Sequence, residues 1–374
     1  MANDNVVQLA RDLVAIPSET DQSNEAVCDF LEPWLESNGF TVERLSYMQP
    51  EGTAKVNLVA KKGAGTGGLG FFSHADTVSG DPRQWDPFDP VVASGRLIGR
   101  GSCDMKGPLA ATLIAAAGAD ADKLKNPVYI VITSDEENGH LGAHHIIEHS
   151  KTLRESRIEY AIVAEPTSLQ PVYAHKGNAL ITVTAHGKAA HTSTERGRSA
   201  NFLMAPFLAD MAALAPVFRN TERYKNHEFE PPTNGFNMTI SDGDCPHNVT
   251  AATTVARVGM RLMPGTQRKA QIAMVEDRAE AHSLETSRRI LDPFYIKPDA
   301  PVIQAACRAT GISKPITVPY GTEAEAYQRF AQTVILGPGD IAQAHTIGEW
   351  IDIGQLNAAV GVYENMIQQL CIAE

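Results

Sequence analysis

Apolar residues recur at helical spacing from Val6 to Val14, break at Pro17-Ser18-Glu19-Thr20, and recur at Val27, Phe30, Leu31, Trp34 and Leu35. That pattern predicts two amphipathic helices. Short apolar runs follow at 56–60 (VNLVA), 69–72 (LGFF), 128–133 (VYIVIT) and 158–163 (IEYAIV), with helical segments predicted at 108–119 and 140–149. Strands alternating with helices read as an α/β domain built on a mixed, largely parallel sheet. The pattern changes near residue 178, where alternating stretches at 179–187, 236–240 and 253–263 surround helical segments at 200–215 and 267–282. These describe an inserted α+β unit with a mostly antiparallel sheet. After residue 292 the α/β pattern resumes, with a strand at 333–336 and a closing helix at 355–371 that carries Leu356, Val360, Tyr363, Ile367 and Leu370. The expected organisation is therefore a discontinuous first domain, 1–177 and 292–374, interrupted by an insert at 178–291.

Composition narrows the function. At 374 residues, 43% hydrophobic and 20% charged, the chain is long enough for two cores and is not of disordered composition. Its 44 acidic against 32 basic residues give a formal charge of -12, which repels phosphate backbones and anionic membranes alike, so no nucleic-acid or membrane partner is expected. The longest apolar run, Leu109 to Ala117, is too short to span a bilayer, and Met1-Ala2-Asn3-Asp4 lacks a basic or apolar leader pattern; a cytoplasmic protein is expected. The five cysteines, at 28, 103, 245, 307 and 371, form no CxxC pair and read as reduced thiols.

Three of the apolar strands lead into chemistry: His74-Ala-Asp76, Asp135-Glu136-Glu137, and Glu165-Pro166. Ligands of open parallel sheets bind at the carboxyl ends of strands, so these groups can converge on one crevice, joined by Asp104 from the loop before the helix at Pro108. A histidine among carboxylates suits zinc, cobalt or manganese in a catalytic role, unlike the thiolate sets of structural zinc. Taken singly, each residue has a plainer reading: a satisfied histidine, acids that cap a helix, or a Glu-Pro strand exit. His140 with His144, and His145 with His149, stand four apart on a predicted helix and could bind a metal. Lacking a third ligand, they read better as a solvated helix face. The run Gly63-Ala-Gly65-Thr-Gly67-Gly68 spells a dinucleotide fingerprint but leads into a strand, so a flexible hairpin is the better account.

The pieces SHADTV (73–78), WDPF (85–88), GRLIGRGSCDMKG (95–107), SDEENG (134–139), AEPT (164–167), GKAAHTS (187–193) and VILGPGDIAQAHTIGEWI (334–351) stand in one order along the chain. Together they resemble the di-zinc amidohydrolase family of acetylornithine deacetylases, succinyl-diaminopimelate desuccinylases, aminoacylases and glutamate carboxypeptidases. The resemblance implies an aminopeptidase-like catalytic domain with an inserted ferredoxin-like dimerisation and lid domain. It implies two divalent ions, zinc first with cobalt or manganese as alternatives: His74 and Glu165 on one, Glu137 and His345 on the other, Asp104 bridging. Glu136 would take a proton from a water between the ions and return it to the leaving amine, and Asp76 would hold His74 in place. His191 would stabilise the oxyanion from the partner subunit of a homodimer, and Asn248 and Arg261 would hold the substrate carboxylate. The tail, with Tyr320-Gly321-Thr322-Glu323-Ala324, is most similar to the acetylornithine deacetylase branch. The implied substrate is then N2-acetyl-L-ornithine, with Glu323 either meeting its cationic side chain or serving the local structure; succinyl-diaminopimelate, acetylcitrulline and C-terminal residues of peptides are the alternative substrates. Two departures are present: Ser73 where that family has Gly, and Val249-Thr250-Ala251 where it has a Pro soon after the Asn.

Overall fold

The structure is a computed structural model in which residues 2–372 are described. The chain divides into two compact units: Met1–Tyr173, Ile296–Ile316 and Thr322–Glu374 form the first, and Ala174–Tyr295 with Thr317–Gly321 the second.

In the first unit the strands Val128–Thr133, Leu69–His74, Tyr160–Val163 and Gln332–Ile335 lie side by side and parallel. Antiparallel strands flank them: Ala54–Lys62 and Thr41–Met48 on one side, Val172–His175 on the other. Leu69–His74 and Val128–Thr133 are buried along their whole length, which explains why they read as unbroken apolar runs rather than alternation. The helices Ala2–Val14, Lys106–Gly118 and Ile353–Ile367 pack against one another, and Leu109, Leu113, Leu356, Val360 and Tyr363 are buried.

Three elements escape the sequence pattern. The edge strand Thr41–Met48 has neither face fully buried, so its alternation is faint. Pro301–Thr310 is a helix with Pro in its first turn and Gly311 in the left-handed conformation just past its end, a start and stop signal present in the sequence. A small sheet joins Val91–Ala93, Arg96–Ile98 and Trp350–Asp352, in strands too short to carry a periodic signal.

The second unit has a four-stranded antiparallel sheet in the order Asn237–Ser241, Thr253–Met260, Asn178–His186, Glu285–Leu291. Ala179, Ile181, Val183 and Ala185 point into its core and the residues between them are more exposed, the alternation that marked this stretch. Helices Ala200–Asn220 and Arg268–Ala281 cover that face. The sequence reading ends the first of these before Pro216, but the helix runs on because Phe218 completes the buried stripe of Met204, Phe207, Met211 and Leu214. Among the described residues it is the one helix long and apolar enough to cross a bilayer, and that stripe is committed to the sheet. All five cysteines are free.

Candidate metal centre

Because four central strands are parallel, their carboxyl ends open on one side, and the chemistry-bearing residues leave from there. His74 is the last residue of its strand, Glu136 and Glu137 follow Val128–Thr133, Glu165 follows Tyr160–Val163, and His345 comes after Gln332–Ile335 and a short 3-10 turn. Asp104 ends the loop before helix Lys106–Gly118.

The side chains meet around Asp104. Its Oδ1 lies 3.0 Å from His74 Nε2, and its Oδ2 lies 3.3 Å from His345 Nε2. Glu165 Oε1 stands 3.6 Å from His74 Nε2 on the first side, and Glu137 Oε1 stands 2.8 Å from His345 Nε2 on the second. Two three-residue groups of donor atoms result, His74–Asp104–Glu165 and Asp104–Glu137–His345, each close enough to surround one ion and sharing the aspartate. A third grouping, His74–Glu136–Glu137, brings Glu136 beside them.

Asp76 holds this arrangement from behind, in more ways than the spacing suggests. His74 Nδ1 donates to the Asp76 backbone carbonyl at 2.9 Å and sits 3.6 Å from its carboxylate. That carboxylate in turn accepts from the backbone N–H of Glu136 and of Glu137, and from Thr20 Oγ1. Asp104 is anchored in a similar way, because Glu349 Oε1 accepts from the backbone N–H groups of both Cys103 and Asp104. Asp135, which sequence reasoning left without a role, is buried with φ near +59° and is gripped by Lys55, Tyr47 and Gln49 at 3.1, 2.6 and 2.6 Å. It fixes the start of the acidic loop.

The electrostatics follow from burial. Burial opposes ionisation of Asp104, yet the contacts with His345 and His74 win and hold its carboxyl below the usual range. Burial raises Glu137 to about 7 and pushes Glu165 well up, the latter aided by the neighbouring Asp104 charge. His345, gripped by Asp104 and Glu137, is pushed up to about 10, and His74 is raised as well, its contacts with Asp104 and Asp76 overcoming burial. Protons on the imidazoles thus balance a surplus of carboxylates, the charge that divalent ions would supply.

Glu323 is 2% exposed; its Oε2 accepts from Thr133 Oγ1 and Tyr327 OH at 2.8 Å each, its Oε1 has no hydrogen-bond partner, and burial raises it to about 7. His191, Asn248 and Arg261 belong to the second unit and are exposed. His191 and Asn248 are brought together there: His191 pairs with Val249 in an isolated bridge, and Thr192 N–H donates to the Asn248 carbonyl. Arg261 follows strand Thr253–Met260, its N–H donating to the Asn234 carbonyl. Ser73 is buried, and its hydroxyl finds no hydrogen-bond partner among the described residues.

Two sequence expectations need correcting. His140 does not lie on a solvated helix face: it precedes helix Leu141–His149, with φ +61° and 4% exposure, between Glu136 and Glu325. His144, on the helix, contacts the same Glu325. The spacing of four does bring both rings to one carboxylate, but that face is covered by the buried Glu325 and not by solvent. The 63–68 glycine run does not close the expected hairpin: strands Ala54–Lys62 and Leu69–His74 each pair with Val128–Thr133, which lies between them, so the run is a connection that crosses over that strand.

A mixed sheet that gathers two histidine–carboxylate groups around a shared aspartate defines a metal-dependent hydrolase. Residues 70–369 match Peptidase family M20/M25/M40, and the chain belongs to that family. It is 34% identical over 385 residues to an acetylornithine deacetylase of Proteus mirabilis, covering 98% of this chain and 97% of that one. It is 33% identical to an acetylornithine deacetylase of Myxococcus xanthus, covering 96% of each. Among solved structures it shares its fold with a tripeptidase from Staphylococcus aureus (TM-score 0.76, 23% identity, 98% of both chains). The fold is also that of a dinuclear metal-binding peptidase of Bacillus subtilis (TM-score 0.63, 15% identity, 98% and 97% of the chains). The protein is a metal-dependent hydrolase acting on amides.

Proposed function

We propose that the protein removes the acyl group of an N-acyl amino acid, N2-acetyl-L-ornithine first, yielding a carboxylate and a free amine in the cytoplasm as a step toward arginine. The observation that carries the reading is Asp104, which offers one oxygen to each of two histidine–carboxylate groups beside a carboxylate, Glu136, that neither group needs. The donor set of imidazoles and carboxylates, without thiolates, suits two zinc ions, with cobalt or manganese as alternatives. His74, Glu165, Glu137 and His345 would hold them, and Asp104 would bridge. When bound, the ions polarise the scissile carbonyl and make water more acidic.

The chain's own residues then handle protons and position. Glu136, whose side chain is 11% exposed, takes the proton of the attacking water and returns it to the departing nitrogen. His191 accepts from the Ser193 N–H on Nδ1, a contact that leaves Nε2 as the donor of the neutral ring, the tautomer a developing oxyanion requires. We assign it to the site of the partner subunit in a homodimer formed through the insert. Asn248 and Arg261 are assigned to the substrate carboxylate. The similarity to acetylornithine deacetylases over nearly the whole chain supports ornithine as the amine. Glu323, buried on Thr133 and Tyr327, is better suited to shaping the pocket than to meeting a substrate cation directly.

The test is amine release by zinc- or cobalt-loaded protein across a panel of N-acyl amino acids, with Glu136→Gln alongside. N2-acetylornithine should give the highest kcat/KM and its methyl ester a poor one, and the variant should keep its metal but lose turnover. A preference for succinyl-diaminopimelate would move the substrate assignment, and an active Glu136→Gln protein would remove the base.

A further inference from the structure

Next to the metal-ligating groups lies a second, buried cluster that the proposed chemistry has not used. His140 Nε2 stands 3.3 Å from Glu136 Oε1, and its Nδ1 stands 3.5 Å from Glu325 Oε1. The same Glu325 oxygen lies 3.3 Å from His144 Nε2, and the other lies 3.4 Å from Arg329 Nη2. Glu325 is 2% exposed and sits on the short helix Ala324–Tyr327, next to the buried Glu323. His140 Nδ1 and Glu325 Oε1 are buried and form no hydrogen bond among the described residues, so at 3.5 Å they face one another as a close contact only. The backbone makes the placement deliberate: His140 takes a left-handed φ, uncommon for a residue with a side chain, and its N–H donates to the Glu136 carbonyl.

Resting on Glu136 as the base, we infer that His140 is a positioning residue, set against Glu325 on one side and orienting the Glu136 carboxylate on the other. Of the two Glu136 oxygens, the one facing His140 is held, and the other is presented to the substrate side. Without the ring, Glu136 swings between rotamers at the mouth of the site, and proton transfer tolerates little misplacement. Glu325 acts only through His140; its contacts with His144 and Arg329 keep its charge compensated in a buried place.

The experiment measures steady-state kinetics, metal stoichiometry and the visible spectrum of the cobalt-loaded protein for Glu136→Gln, His140→Phe, His140→Gln, Glu325→Gln and the His140→Phe/Glu325→Gln pair. His140→Phe should lower kcat about 10- to 100-fold, the range seen when a partner of a functional residue is removed, with KM, metal content and cobalt spectrum unchanged. His140→Gln, which can still donate to Glu136, should recover part of the loss. Glu325→Gln should lower kcat in the otherwise native chain and add nothing to His140→Phe, because both changes cut one linkage. A purely structural role would instead leave kcat alone and show only as lost thermal stability. Should His140→Phe fail to fold, the Gln and Glu325 variants decide: unchanged kcat in both overturns the inference. Wild-type kcat in a folded His140→Phe, with Glu136→Gln inactive, overturns it while leaving the base intact. An active Glu136→Gln overturns both.

Discussion

Neutralising Glu349 should test how the bridging aspartate is held. Glu349 is fully buried, its Oε1 accepts from Cys103 and Asp104 N–H at 2.9 and 3.0 Å, and its Oε2 meets Arg100 Nη1 at 2.6 Å. Glu349→Gln keeps the shape and an acceptor for the two amides but removes the charge. Arg100, 4% exposed, would retain a distant Ser79 carbonyl at 3.5 Å and the Trp85 ring at 5.5 Å, neither a replacement for an anion. Removing one partner of a buried pair costs about 3–5 kcal/mol. The lower end applies here, because burial and the nearby Asp104 charge already raise the Glu349 pKa, so part of its stabilising effect is spent in the native protein. The expected loss is about 3 kcal/mol in urea denaturation of the metal-free protein, together with metal affinity weakened by about 10- to 100-fold as the Asp104 amide loosens. Arg100→Met gives the complementary case. With its cation gone, Glu349 can fold only by keeping a proton, so the penalty should be small near pH 4 and grow as pH rises above the ordinary carboxylate range, about 4.3. A Glu349→Gln protein that loses less than about 1 kcal/mol and binds metal normally would refute the reasoning.

Other outcomes follow from the same geometry. With His345 pushed up to about 10 by Asp104 and Glu137, and His74 shifted in the same direction, the rings favour the protonated form in the metal-free protein, whereas a metal ligand must be neutral. Metal affinity should therefore rise with pH between about 7 and 10, and titration calorimetry in buffers of differing ionisation enthalpy should detect proton release on loading; a flat profile without release would remove the argument. For the insert, mixing inactive His191→Ala chains with inactive Glu136→Gln chains under subunit exchange should restore activity, since about half the dimers would carry one intact site. Heterodimers that form and stay inactive would place His191 outside the partner's site.

The convergence of the candidate metal ligands is legible in the sequence because local rules place them. His74, Glu137 and Glu165 each follow a buried strand, and parallel strands send their ends to one side whatever the details of packing. The insert is equally legible, since a half-covered antiparallel sheet writes its burial into every second residue of 178–186. The residues that hold the ligands in place were far less visible. Glu349 reaches Asp104 across 245 positions through a three-residue strand, and Asp135 meets Tyr47 across 88, so no periodicity records either pairing. His140 was misread for a different reason: spacing puts it near His144, but nothing in the local sequence records that Glu325, far along the chain, covers that face.

These supporting contacts share a design that bears on how the centre works. Three of the candidate ligands are also held from outside their own set: Asp76 ties His74 to the amides of the Glu136–Glu137 loop, and Glu349 holds the amide of Asp104. The buried anions that do this, Asp76, Asp135 and Glu349, are themselves satisfied by Thr20, by Lys55 and Tyr47, and by Arg100. The carboxyl groups that have only the two imidazoles to compensate them, Asp104, Glu137 and Glu165, are gathered where ions are expected. A frame organised in this way does not need the ions to assemble it, so the ions' binding energy is not consumed in folding the loops. It also explains why Glu136 stands apart: its amide is anchored with those of the ligands, but its carboxylate is left to His140, free of the grip that holds its neighbours.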